Sequence, residues 1–68
     1  MRIFLQPRSG DSFDLTVRNA VEILQRAHLL SVRAGGTVGD RAVVLVDSEE
    51  VLKALATLDG EGLRASLT

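Results

Sequence analysis

The chain has 68 residues, 46% of them apolar but only 3% aromatic, and nine acidic against eight basic side chains give a formal net charge of −1. That length supports one domain, residues 1–68, near the lower size limit for folding without covalent staples. The absence of cysteine excludes disulfides and thiolate metal sites. No block of like charge reads as a polyelectrolyte arm.

In chain order, Ile3-Phe4-Leu5 is a short apolar run stopped by Pro7 and predicts a strand. The start does not read as a signal peptide, and the longest apolar run, Ala42 to Val46, is too short to span a bilayer. A cytoplasmic protein is expected. Arg8-Ser9-Gly10-Asp11-Ser12 has loop chemistry. Leu15, Ala20, Val21, Ile23, Leu24 and Ala27 then recur at helical spacing. Ser12 or Asp14 is placed to cap that helix, with Arg26 and His28 in its last turn.

Leu30, Val32 and Ala34 alternate with Ser31 and Arg33, the period of a half-buried strand. Gly35 to Asp40 is a glycine-rich turn, and Ala42 to Val46 forms the clearest strand, so the pair predicts a hairpin. Asp47-Ser48-Glu49-Glu50 fits a capping box with Glu50 reaching back to Asp47. Val51, Leu52, Ala54, Leu55 and Leu58 follow as a helical stripe, with Gly60 as its C-terminal stop. Residues 62–68 alternate again and close the chain as a strand.

The order β-α-β-β-α-β predicts an α+β, ferredoxin-like fold: a four-stranded antiparallel sheet with both helices on one face. Alternation sends Ile3, Leu5, Leu30, Val32, Val43, Leu45, Leu63, Ala65 and Leu67 toward the helices. It leaves Arg2, Phe4, Gln6, Ser31, Arg33, Val44, Val46, Arg64 and Ser66 on the open face. Phe4, Arg33, Val44 and Val46 are accordingly the expected interface, and a homodimer formed sheet to sheet or edge to edge would cover its apolar part. A chain this small also gains stability from such an assembly.

Catalysis finds no constellation. The lone His28 has no assignable nucleophile or orienting carboxylate, no serine sits in a GxSxG turn, and no metal-ligand spacing occurs. Gly35-Gly36-Thr37-Val38-Gly39 lacks the Gly-Lys-Ser/Thr ending of a phosphate loop and joins two strands. No cofactor is expected, and the chain reads as a non-enzyme. The Arg8-Ser9-Gly10-Asp11-Ser12 turn is the candidate small-anion site, since it precedes a helix N-terminus and offers an arginine fork.

From Ala27 onward the chain resembles an ACT domain, the small ferredoxin-like regulatory module that binds amino acids. The similar stretches are Ala27 to Ala34, Gly39 to Asp47, Glu50 to Leu55 and Gly60 to Leu63. The family's Asp-x-Pro-Gly-x-Leu turn corresponds to Asp11-Ser12-Phe13-Asp14-Leu15, which keeps the leucine and lacks the Pro-Gly. The resemblance implies an amino-acid or similar anionic ligand at a homodimer interface. It carries over Gly10, Asp11 and Ser12 of the turn with Leu30 and Ser31 of the second strand. Two other readings share the topology. One is a protein-interaction or assembly module without a small ligand. The other is an RNA-recognition module, which Ile3-Phe4-Leu5 resembles in its first strand; the negative net charge and the lack of aromatics on strand three disfavour it.

Overall fold

A computed structural model describes residues 1–67; Thr68, the last residue of the predicted closing strand, lies outside them. Strand β1 (Arg2–Leu5) leads to helix α1 (Phe13–Arg26), strands β2 (Arg33–Val38) and β3 (Arg41–Leu45), a 3₁₀ turn (Ser48–Glu50), helix α2 (Val51–Gly60) and strand β4 (Ala65–Ser66). The four strands form one antiparallel sheet in the order β2-β3-β1-β4, with both helices packed on one face. This is the expected α+β class. Among the described residues no helix is long and apolar enough to cross a membrane.

Helix α1 begins as its sequence dictates. Ser12 sits in extended backbone and its Oγ accepts from the Leu15 amide at 3.1 Å, while Thr16 Oγ1 donates to the Ser12 carbonyl at 2.9 Å. Thr16 is thereby satisfied although buried. Val17, Ala20 and Leu24 face the sheet and pack in one cluster with Ile3, Leu5, Ala42, Val44 and Val46, with Ala54 and Leu58 of α2 and Leu63 beyond its cap closing the core.

Both helices end in the same device. The Leu29 amide donates to Leu24 and the His28 amide to Gln25, with His28 in the left-handed region at φ 65°. Likewise the Leu63 amide donates to Leu58 and the Gly62 amide to Asp59, with Gly62 at φ 79°. Each is a Schellman cap whose following leucine, Leu29 or Leu63, is buried. Gly62, and not Gly60, is therefore the stop residue of α2, and His28 follows the last turn of α1 instead of belonging to it.

Three sequence expectations are corrected in the sheet. Strand β2 starts at Arg33, because Leu29 is consumed by the cap and Leu30 to Val32 bridge toward α2; Leu30, expected to face the helices, is 94% exposed. The expected glycine-rich turn is mostly strand: only Gly39 and Asp40 separate the Val38–Arg41 pair, and Gly35–Gly36 form a bulge between Ala34 and Thr37. Strand β3 has the opposite phase to the one predicted. Pairing of Ile3 with Val44 turns Val44 and Val46 into the core, and pairing of Phe4 with Val43 and Arg2 with Leu45 turns Val43 and Leu45 outward.

The capping box before α2 also fails to form. Asp47 makes no side-chain cap, and Glu50 turns instead to the segment entering β2.

Candidate functional site

Sheet register assembles the open face in three cross-strand rows. Arg33 lies opposite Leu45, which lies opposite Arg2. Val43 lies opposite Phe4, and Phe4 opposite Ser66. The next outward row continues from Arg41 through Gln6 to Arg64, whose carbonyl accepts from the Gln6 amide at 3.2 Å. An apolar centre is thus bracketed by arginines at both strand ends. Four residues at about 3.4 Å separate the two arginine rows by about 14 Å.

The centre of the face is packed. Val43 is 1% exposed although it points away from the helices, being flanked by Phe4 and lying over Gly35. A β-carbon on Gly35 would stand 2.7 Å from Val43 Cγ1, so the close β2–β3 approach needs glycine there. The Arg2 guanidinium carbon lies 5.5 Å from the Phe4 ring centroid, within cation–π range. Phe4, Gln6, Arg41, Arg64, Ala65 and Ser66 line a shallow depression at the β4 side.

The charged side chains of the strands are all positive, whereas the helical layer carries both signs. None of the nine acidic residues lies in a strand, whereas Arg2, Arg33 and Arg41 do and Arg64 adjoins β4. The helical layer carries Asp14, Glu22, Glu49, Glu50 and Asp59 beside Arg18, Arg26 and Lys53, and Arg26 stands 3.7 Å from Glu22. The shortest dimension of the molecule is 16 Å. At physiological ionic strength the screening length is about 8 Å, so helix-side acids weigh little on a group docked at the sheet.

The residues expected to bind a small ligand fall into two separate places. The Arg8–Ser12 turn precedes α1, and Leu30–Ser31 follow it. A 14-residue helix separates them by about 21 Å. Arg8 donates to the Glu61 carbonyl at the end of α2, where a cation is favoured, and its own carbonyl accepts from Asp11 at 2.9 Å. Ser12 is spent on its cap. Gly10 takes φ 88°, which serves the turn, and Ser9 is exposed beside it.

At the other end, Ser31 is held by Glu50. The Glu50 carboxylate accepts from the Ser31 hydroxyl, from the Ser31 amide at 3.0 Å and from the Leu30 amide at 3.3 Å, while Ser31 Oγ accepts from the Asp47 amide at 2.9 Å. The Ser31 hydroxyl and amide bonds hold the Glu50 carboxyl below its ordinary value of 4.5. The clamp ties β2 to α2. Of the expected interface, Phe4 and Arg33 lie on the open face; Val44 and Val46 do not, and Val43, Leu45 and Arg41 stand there with them. Among the described residues no group of three or more His, Asp or Glu side chains is placed to hold a metal ion. Sequence reasoning had no signal for Arg41, because a residue beside the turn takes its face from the strand phase.

No family model, curated protein or solved structure matches the chain.

Proposed function

We propose that this chain is a non-catalytic protein-docking module that works through the open face of its sheet. The observation that carries the reading is the three-row face itself, with half-buried Phe4 in the middle row and arginines in the rows on either side, on the side no helix covers. Aromatic and arginine side chains are the types that anchor protein interfaces. The dispersal of the small-ligand candidates, and the use of Arg8, Ser12 and Ser31 in capping and clamping, favour this reading over an amino-acid sensor.

A photocrosslinking phenylalanine analogue tests it when placed at Phe4 or, as a helix-side control, at the 78% exposed Leu52. Position 4 is expected to trap a discrete protein in the native host and position 52 none. Equal trapping at both positions would refute the assignment of the face. So would a thermal shift with free amino acids that is lost on replacing Arg8.

A further inference from the structure

We infer that the partner segment docked on this face is a short, extended, acidic stretch of protein with an apolar residue at its centre. The inference rests on the docking reading and adds the chemistry of the occupant. Arginine forks match carboxylates in a bidentate geometry that lysine does not offer. Arg2 and Arg33 form one fork pair around Leu45, and Arg41 and Arg64 form the other beside Gln6. Between them Phe4 presents the one aromatic surface of the sheet, already polarised by Arg2 at 5.5 Å.

Size decides between a segment and a folded surface. Four strands at about 4.8 Å spacing and about 14 Å between the arginine rows give a flat footprint on the order of 300 Å². A stable globular interface needs about 800 Å² from each partner. A segment of about five extended residues spans the two arginine rows at about 3.4 Å per residue, with its central side chain over Phe4 and carboxylates toward either end.

Charge and stacking decide between protein and nucleic acid. Asp40 and Asp47 stand just beyond the two ends of β3, so a long polyanion crossing the face meets acids on both sides, whereas a short segment stays between them. Single-stranded nucleic acid also uses successive stacking surfaces. Here Val43 and Leu45 occupy the neighbouring outward positions of β3.

The test uses fluorescence anisotropy with a labelled peptide of alternating aspartate and leucine around a central phenylalanine, beside a single-stranded oligouridylate of matched length. The peptide is expected to bind and to weaken as salt rises from about 50 to about 300 mM. The Arg2→Gln/Arg33→Gln and Arg41→Gln/Arg64→Gln pairs are each expected to weaken it about tenfold, as is Phe4→Ala. The charge-matched Arg18→Gln/Lys53→Gln pair on the helices is expected to leave affinity within about twofold. Thermal melts identify any variant that loses the fold, and Arg33→Gln alone, exposed at the β2 start, then serves as the readout. Absence of peptide binding, equal loss in the helix-side pair, or tighter binding of the oligouridylate would overturn the inference. Mapping the partner residue crosslinked from position 4 separates the two levels: a partner contact in a basic or neutral segment refutes the acidic occupant and leaves the docking face standing.

Discussion

Replacing His28 with glycine exchanges an L-residue held at φ 65° for the residue that adopts this backbone freely. The left-handed region costs an L-residue about 1–2 kcal/mol. Glycine gives back about 0.5–1 kcal/mol through the greater freedom of its unfolded chain. The difference leaves a stabilisation of about 0.5–1 kcal/mol. At about 2.1 cal/mol/K per residue the unfolding entropy of this chain is about 0.14 kcal/mol/K, so Tm is expected to rise by about 4–7 °C. The second helix supplies the reciprocal experiment. A β-carbon on Gly62 would meet only an Arg8 guanidinium nitrogen at an ordinary 3.5 Å, so Gly62→Ala carries the backbone cost without a steric one. It is expected to lose about 1 kcal/mol. Urea titrations of the three proteins should shift in midpoint with unchanged slope. A His28→Gly midpoint at or below the wild-type value, beside a normal loss in Gly62→Ala, would refute the strain account.

Gly35→Ala should destabilise by about 1–3 kcal/mol, because the new methyl meets Val43 Cγ1 at 2.7 Å and the Val43 carbonyl oxygen at 3.0 Å; a midpoint equal to wild type in denaturant titration would show that the bulge yields freely. Val44→Asp should unfold the chain outright, burying a carboxylate among Ile3, Val17 and Leu24 at a cost above about 4 kcal/mol. A folded Val44→Asp protein by circular dichroism would contradict the β3 register. Glu50 titrates below its ordinary 4.5 in the fold, chiefly through the Ser31 hydroxyl, so its contribution is complete above that ordinary value and drains away as pH falls through the lowered one. Thermal melts of Glu50→Gln should therefore fall below wild type near neutral pH and converge with it in acid. A gap that stays constant with pH would remove the ionised clamp.

The sequence by itself determined what local chemistry decides. Helical spacing placed α1 and α2, Ser12 announced a cap, and polar Arg2 and Gln6, flanking Ile3-Phe4-Leu5 in phase with Phe4, assigned Phe4 outward and its neighbours inward. The element order then left few ways to arrange four strands and two helices. The phase of β3 was beyond it, because Ala42-Val43-Val44-Leu45-Val46 is apolar at every position and a two-residue period cannot be read from a uniform run. Only pairing with β1 sets that phase, moving Val44 and Val46 into the core and bringing Arg41 to the face beside Arg64. The Gly35–Gly36 strand was likewise illegible, since glycines that read as a turn are tolerated in a strand where Val43 needs close approach. Glu50 bears the motif of a cap, yet Ser31, 19 residues away in sequence, supplies the stronger set of donors. Competition of that kind is settled only when distant segments meet. Composition fixed how much charge the chain carries; the tertiary structure decided that four arginines share a sheet face on which no strand places an acid.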